Sequence, residues 1–275
     1  MTQAEKGRAF RALHKREGGF IIPNPWNVGT ARMLASLGFE ALASTSAGYA
    51  FSVGKADNTV DRSEIIAHAS ALAAATELPV SADLENGFGD GPETCAETIR
   101  LGAAAGIVGG SIEDSTGKTD TPIYEPALAV ERVRAAVAAA RSLPFTFTLT
   151  ARAENHLHGR TDLADTIRRL QAYQEAGADV LYAPGLLTKE DIATVVRSVD
   201  RPLNVLMGLG SPLTFAELSA MGVKRVSVGS TLARAALGAF LRAGREMKEH
   251  GTFTFGEAAA SSREITALFG DGRTR

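Results

Sequence analysis

Short β-rich runs alternate with helix-patterned segments eight times along this chain, and that alternation narrows the fold more than any other feature. The strand runs read as 20–22, 40–44, 78–83, 106–113, 145–152, 178–183, 202–207 and 224–228. Helical patterns read over 2–17, 27–37, 61–77, 92–105, 126–141, 162–176, 188–199, 211–221 and 231–249, with a last helix over 255–269 and a frayed GDGRTR tail. The punctuation agrees with these limits. Gly18-Gly19 and Gly38 end helices, Pro23 stops the first strand, Asp61 caps a helix, Pro92 sits in a first turn, and Ser211-Pro212 opens another helix. Strands that feed crossover helices must run parallel. Eight such units in about 250 residues predict a closed (β/α)8 barrel, an α/β fold. The rival, a doubly wound open sheet, would carry a Gly-x-Gly-x-x-Gly turn after its first strand, and PNPWNVG is not one. No linker rich in Pro, Ser or charge interrupts the pattern. Residues 1–275 therefore read as one barrel domain, with a C-terminal helical extension from about 231.

Composition excludes several functions. The formal net charge is −2 and no basic block stands out, which argues against a nucleic-acid partner. Cys95 is the only cysteine, so neither a disulfide framework nor a cysteine-based zinc site is available. The N-terminus MTQAEKGRAF lacks the apolar run of a signal peptide, and no stretch is long enough to span a membrane. A soluble, cytoplasmic protein with no membrane partner is expected.

The chemistry concentrates in SADLENGFGD, residues 81–90. Asp83 and Glu85 stand at spacing i, i+2, which on a strand places both side chains on one face. Two like charges side by side are costly unless something positive lies between them. A hard divalent cation with oxygen ligands answers that, Mg2+ first and Mn2+ as its substitute. The plainer alternative is a capping Asp beside a solvated Glu.

Barrel chemistry sits at the C-terminal ends of the strands. Strand two ends in Ser44-Thr45-Ser46-Ala47-Gly48, small residues suited to cradling an anion. Strand three gives Asp83 and Glu85, strand four Glu113 and Asp114, and strand five Arg152 and Glu154, followed by Asn155, His156 and His158. Strand six gives Tyr182, and strand seven Asn204 and Met207. Acids that hold a divalent cation, beside an arginine whose planar fork meets a carboxylate or phosphonate, suit a 2-oxo acid substrate and its enolate. A buried structural ion-pair network is the alternative. Trp26, after strand one, either lines the pocket or plugs the barrel. Gly208-Leu209-Gly210 and Val228-Gly229-Ser230 are either phosphate-binding turns or tight connections. His14, His68 and His250 read as solvated. Strand interiors lack lysine, which argues against a Schiff-base aldolase.

The ordered runs STSAGYAFSVGKAD, ADLENGFGD, GGSIEDS, TLTARAENHLHGR and VKRVSVGSTLARAAL resemble the isocitrate lyase and phosphoenolpyruvate mutase superfamily, over roughly residues 21–241. The resemblance implies a barrel with a swapped C-terminal helix, a homo-oligomer built as a dimer of dimers, Mg2+, and small 2-oxo acid, dicarboxylate or phosphonate substrates. It implies Asp83 as the direct metal ligand and Glu113 as a water-mediated one. Glu85 stands where most members carry a second Asp, and it too would reach the metal through water. Arg152 is implied as the substrate-binding arginine, Thr45, Ser46 and Ala47 as the loop holding a pyruvoyl carboxylate, and Asp57 as a loop acid touching metal-bound water or substrate.

One departure matters. The isocitrate and methylisocitrate lyases carry a Lys-Lys/Arg-Cys-Gly-His run after strand four. Here that segment, EDSTGKTDTPIYEP, has neither cysteine nor histidine. Its Lys118 and Thr119 either gate the site or belong to a mobile, solvated loop. The segment is also shorter than a mutase gating loop. Loss of CO2 from a 2-oxo acid needs no such acid. The expected activity is therefore that of a Mg2+-dependent lyase of the oxaloacetate decarboxylase type. P–C bond chemistry and a 2-oxo acid binding protein with little turnover are the alternatives.

Overall fold

A computed structural model describes residues 1–208, 210 and 212–269. Leu209, Ser211 and the tail from Gly270 lie outside the described residues, and with them the middle of the Gly208–Gly210 turn and the expected Ser211 helix start.

Eight parallel strands are present: β1 (Phe20–Ile22), β2 (Leu42–Ala43), β3 (Val80–Asp83), β4 (Gly109–Glu113), β5 (Thr148–Arg152), β6 (Val180–Tyr182), β7 (Leu203–Leu206) and β8 (Arg225–Ser227). They pair in the order β1-β8-β7-β6-β5-β4-β3-β2. The seam between β1 and β2 is bridged just past the ladder, by Ala43 N–H to the Pro23 carbonyl at 3.1 Å and by Asn24 Nδ2 to the Ser44 carbonyl at 3.0 Å. The result is the expected (β/α)8 barrel, nearly closed. All strands but β1 are shorter than their sequence runs, because those runs extend into the adjoining turns.

The helices are α1 (Gln3–Lys15), α2 (Val28–Ser36), α3 (Ser46–Ser52), α4 (Arg62–Ala75), α5 (Pro92–Ala104), α6 (Pro126–Arg141), α7 (Leu163–Glu175), α8 (Lys189–Ser198), α9 (Phe215–Ala220), α10 (Thr231–His250) and α11 (Ser262–Phe269), with a 3-10 turn over Thr254–Ala258. Their starts follow local chemistry. Asp61 caps α4 by accepting from Glu64 N–H at 2.9 Å, and Pro92 and Pro126 take first-turn places where a missing N–H costs nothing. α9 starts at Thr214, whose hydroxyl accepts from Glu217 N–H while the Glu217 side chain reaches back. α3 was expected to be loop. Its small residues lack a helical period, and it forms because Thr45 caps it through Gly48 N–H at 3.2 Å.

Cross-strand partners share a face, so the register sorts the interior of the barrel. One row runs Glu113, Arg152, Tyr182, Asn204, Arg225 and Phe20; another runs Asp83, Ser111, Thr150 and Val180. Barrels of this kind usually fill with branched apolar side chains. Here the inner rows are mostly polar, and two large apolar clusters lie elsewhere, between the sheet and its helices. A third closes the N-terminal end, where α1 brings Phe10 and Leu13 against Phe20, Ile22, Ala41 and Val108. α1 sits this close because Gly7 has no Cβ; one would overlap the Thr146 carbonyl oxygen.

Two histidines correct the sequence reading. His14 and His68 are buried, at 5% and 7% exposure, whereas His250 is exposed. His14 lies edge-on to Phe10 and Phe20 and donates from Nδ1 to the Phe10 carbonyl at 2.9 Å. His68 stacks on Tyr49 at 4.1 Å and meets the Trp26 carbonyl at 3.2 Å. Their apolar surroundings come from other elements of the fold, such as Phe20 for His14 and Tyr49 for His68.

At the other end, α10 leaves Phe240, Leu241 and Met247 exposed and buries only Ala233, and α11 returns to pack against α2 of its own chain. No helix among the described residues is long and apolar enough to cross a membrane.

Burial pushes the His14 pKa down to about 3, with the Arg225 charge adding to the effect, and burial pushes His68 to about 4. Both are neutral when folded and take up a proton on unfolding below about pH 6.5. The stability each confers is complete above that value and is lost as pH falls toward 4, at about 1.4 kcal/mol per pH unit for each histidine. Denaturant unfolding of His14→Gln beside the natural protein, between pH 7 and 5, should show a slope of stability against pH smaller by about one proton. Equal slopes would contradict a neutral buried His14.

Candidate active site

The C-terminal ends of the strands surround a cavity of about 160 Å³, enough for a small organic acid. It is lined by Thr45, Ser46, Ala47, Asp57, Asp83, Arg152, Tyr182 and Asn204 from the sequence-derived set. Asn24, Ser111, Arg225 and Ser227 line it as well and were not singled out from the sequence. Trp26 is absent from the lining, and its Cβ lies toward Gly48.

At the centre stands Arg152, the last residue of β5. Its Nη1 reaches Asp83 Oδ1 at 2.9 Å, Nη2 reaches Glu113 Oε2 at 3.1 Å, and Nε reaches Glu154 Oε1 at 2.8 Å. β3, β4 and β5 lie side by side, so their last residues meet here without any loop excursion. Burial works against the Arg152 charge, but Glu154, Glu113 and Asp83 more than offset it and hold its pKa well above the ordinary value. A guanidinium has five N–H donors, and three are engaged by these acids, which leaves two for a ligand. The Tyr182 ring lies 5.0 Å from the same guanidinium.

Asp83 is held on both oxygens. Oδ2 accepts from Ser46 N–H at 3.2 Å and from Ser46 Oγ at 2.9 Å, while its own N–H donates to Ser44 Oγ at 2.8 Å. The loop after β2 is thereby pinned to the metal-ligand candidate. Glu85 is beside Asp83 for a different reason than strand pleating. β3 ends at Asp83, and Glu85 lies beyond it in the left-handed region at φ 48°. It is a turn that brings the two together. Burial, then the Asp83 and Asp57 charges, raise the Glu85 pKa to about 8. Burial also raises Glu113 and Glu154, and burial with the Asp83 charge raises Asp57 at the cavity mouth.

Other rim residues are structural. Asp114 is bound by Tyr173 Oη at 2.6 Å, Arg169 Nη1 at 3.0 Å and Glu154 N–H at 2.8 Å. Asn155 is bonded to Thr166 and to the Arg160 carbonyl. His158 meets Ser115 at 3.3 Å, outside the cavity lining. Lys118 is exposed and pairs with Asp90 at 2.7 Å, and Tyr124 Oη donates to the same Asp90, also at 2.7 Å.

The donor set suits a hard cation. Five carboxyl groups, Asp57, Asp83, Glu85, Glu113 and Glu154, interact electrostatically around Arg152; burial is the main cause of the raised pKa of four of them, and the charges of neighbouring acids add to it. Among the described residues no three acids, histidines or cysteines converge at metal-cage spacing. That arrangement matches an ion held by one or two carboxylates that keeps most of its waters, as Mg2+ does.

Comparison with known proteins agrees with this geometry. The family model described as phosphoenolpyruvate phosphomutase matches residues 10–248. A crystal structure from Burkholderia cenocepacia J2315, given only provisionally as a lyase/mutase, is 64% identical, covers 98% of this chain and 97% of its own, and superposes with a TM-score of 0.96. A phosphonopyruvate hydrolase in complex with oxalate and Mg2+ is 27% identical over 98% of this chain and 96% of its own, with a TM-score of 0.86. Among curated relatives, the 2-methylisocitrate lyase of Bacillus subtilis strain 168 is 30% identical over 91% of this chain and 84% of its own. The oxaloacetate decarboxylase of Pseudomonas savastanoi pv. phaseolicola is 28% identical over 95% and 90%. The barrel, the acid–arginine rim and these matches agree: the chain belongs to the isocitrate lyase and phosphoenolpyruvate mutase superfamily, whose members are lyases and mutases.

Proposed function

We propose that this chain is a cytoplasmic, Mg2+-dependent lyase that cleaves a C–C bond of a small 2-oxo acid or dicarboxylate, in the manner of an oxaloacetate decarboxylase. The observation that carries the reading is the Arg152 guanidinium, buried among Asp83, Glu113 and Glu154 with two donors still available, at the wall of a cavity sized for a small acid. Asp83 would hold the Mg2+ directly and Glu85 and Glu113 through water, with Mn2+ as a substitute. When bound, the ion supplies Lewis-acid stabilisation of developing negative charge.

The chain's own residues do the rest. Arg152 binds the substrate carboxylate with its planar fork, and Thr45, Ser46 and Ala47 orient it from the loop after β2. Breaking the C–C bond releases CO2 and leaves its electron pair on the enolate, whose oxygen Arg152 and the Tyr182 edge of the cavity stabilise. Asp57, at the cavity mouth with a raised pKa, is the group assigned to the proton that the enolate carbon must gain. The 115–125 segment offers neither cysteine nor histidine, so this route asks nothing of it.

The similarity to phosphonopyruvate hydrolase supports a second reading, P–C bond cleavage on the same pocket. Assays with oxaloacetate and with phosphonopyruvate separate the two, by pyruvate and CO2 against phosphate or phosphoenolpyruvate. Oxaloacetate turnover should stop on chelation and return with Mg2+, and it should fall at least about a hundredfold in Arg152→Met and in Asp83→Ala, each of which removes a charged contact to the transition state. Turnover indifferent to chelation would sink the reading. Metal-dependent binding with no product from either acid would favour a 2-oxo acid binding protein.

Glu85 adds a pH signature. It must lose its proton to serve the ion, so Mg2+ affinity should climb with pH up to about 8 and level off above it, with a limiting slope of about tenfold per unit. Calorimetric titration at pH 6, 7 and 8 tests this, and a flat profile would remove Glu85 from the set.

We also propose that the chain works as a homo-oligomer, a dimer of dimers in which C-terminal helices exchange. Phe240 at 74%, Leu241 at 54% and Phe253 at 70% exposure are large apolar side chains that a second copy would cover. Sedimentation equilibrium should give a species larger than 28.8 kDa, and a monomer at micromolar concentration would exclude the proposal.

A further inference from the structure

The turn that places Glu85 is held from behind by an arginine outside the cavity. Past β3 the backbone enters the left-handed region at Glu85, Gly87 and Phe88, with φ 48°, 79° and 63°. Only the glycine adopts that region freely, so the other two need support from their surroundings. Arg132, in the middle of α6 and 1% exposed, supplies it. Its Nη1 donates to the Gly89 and Asp90 carbonyls, each at 2.6 Å, and its Nη2 donates to the Asn86 carbonyl. The guanidinium carbon lies 4.1 Å from the centre of the Tyr124 ring. Helix α5 closes in from another side. Thr98 Oγ1 donates to the Gly87 carbonyl at 2.9 Å, and a Cβ on Gly87 would come within 2.9 Å of Cys95 Sγ. Toward the site, Glu113 N–H donates to the Glu85 carbonyl at 3.0 Å, and Glu85 N–H reaches Asp83 Oδ1 at 3.4 Å.

The residue type fits the task. Three carbonyls of one short turn converge on a single side chain. A planar guanidinium presents its donors as a rigid fork, with the Asn86 carbonyl on one prong and those of Gly89 and Asp90 on the other. An ammonium gathers its donors at one point and cannot span them. A buried cation contributes little net stability; what this one provides is a single backbone shape. Arg132 is absent from the cavity lining, yet the Asn86 carbonyl that it holds belongs to the residue next to Glu85.

We propose that Arg132 is a positioning residue for the metal site: by fixing the 86–90 turn it keeps the Glu85 carboxyl group beside Asp83, and it thereby sets Mg2+ affinity from outside the cavity. This rests on the Mg2+ reading of Asp83 and Glu85 and adds to it a determinant on α6, away from the strand ends. Two effects of the arginine differ in sign. A positive charge near a cation site repels the cation, so charge alone predicts tighter Mg2+ binding when Arg132 is replaced by a neutral residue. Loss of the turn predicts weaker binding, because groups that orient metal ligands are commonly worth about ten- to a hundredfold in affinity.

Calorimetric titration of the full-length protein with Mg2+ at one fixed pH tests the proposal. Arg132→Gln and Arg132→Lys are both used, in case one fails to fold, and circular dichroism and thermal melting identify the folded variants. Arg132→Gln should weaken Mg2+ binding about ten- to a hundredfold although it removes a positive charge. Arg132→Lys keeps the charge without the fork and should weaken binding as well. Either one combined with Glu85→Gln should bind Mg2+ no more weakly than Glu85→Gln alone, because the turn acts through Glu85. A folded Arg132 variant with natural or tighter Mg2+ affinity, or losses that multiply with that of Glu85→Gln, would overturn the proposal. Mg2+ uptake that survives replacement of Arg132 refutes the proposal alone. If the natural protein takes up no Mg2+, the metal reading fails and the proposal falls with it.

Discussion

One guanidinium among three carboxylates governs the architecture of this site. Arg152 ties Asp83, Glu113 and Glu154 together, and with them the last residues of β3, β4 and β5. Buried charges are tolerated only when paired and hydrogen-bonded, and removing one partner of such a set commonly costs about 3–5 kcal/mol. The ring of acids therefore cannot be loosened without cost. The loop after β2 depends on it in turn, because Ser46 is anchored to the Asp83 oxygen that Arg152 leaves available.

Charge is unevenly distributed along the barrel axis. Near the mouth carboxyl groups outnumber the arginine, and burial holds Glu85, Glu113, Glu154 and Asp57 toward their neutral forms. Deeper in, Arg225 is a lone cation held by the neutral oxygens of Asn204 and Thr150. An anionic ligand bridged to a cation at the mouth suits such a gradient. The polar lining also explains why the principal apolar clusters sit outside the sheet, where α4 to α8 cover it, and why α1 alone is enough to seal the bottom.

Much of this was legible in the chain. Alternating strands and helices give a parallel barrel because local patterning and the handedness of crossovers leave few other solutions. Residues at strand ends must collect at one rim, so Asp83, Glu113, Arg152 and Tyr182 could be named without coordinates, whereas Asn204 lines the cavity from the second position of β7. The errors have local causes. Glu85 was placed by strand geometry, yet the strand had already ended and a left-handed turn does the placing. His14 and His68 were read as solvated, and the packing of α1 and α4 against the rest of the barrel is what buries them.

Lys224 and Arg225 draw the boundary most clearly. They are adjacent and alike in charge, and nothing in the sequence tells one from the other. In the fold, Lys224 donates outward to the Arg16 and Gly18 carbonyls, while Arg225 turns inward to Asn204 and Thr150. Successive strand residues face opposite sides, so a shift of one position would exchange their roles. The sequence by itself determined the elements, their order, and the rim at which carboxylates and an arginine gather, because these follow from periodicity and crossover chirality. The tertiary structure alone decided which cation is buried and which acids share it, because that depends on the pairing register of strands far apart in the chain.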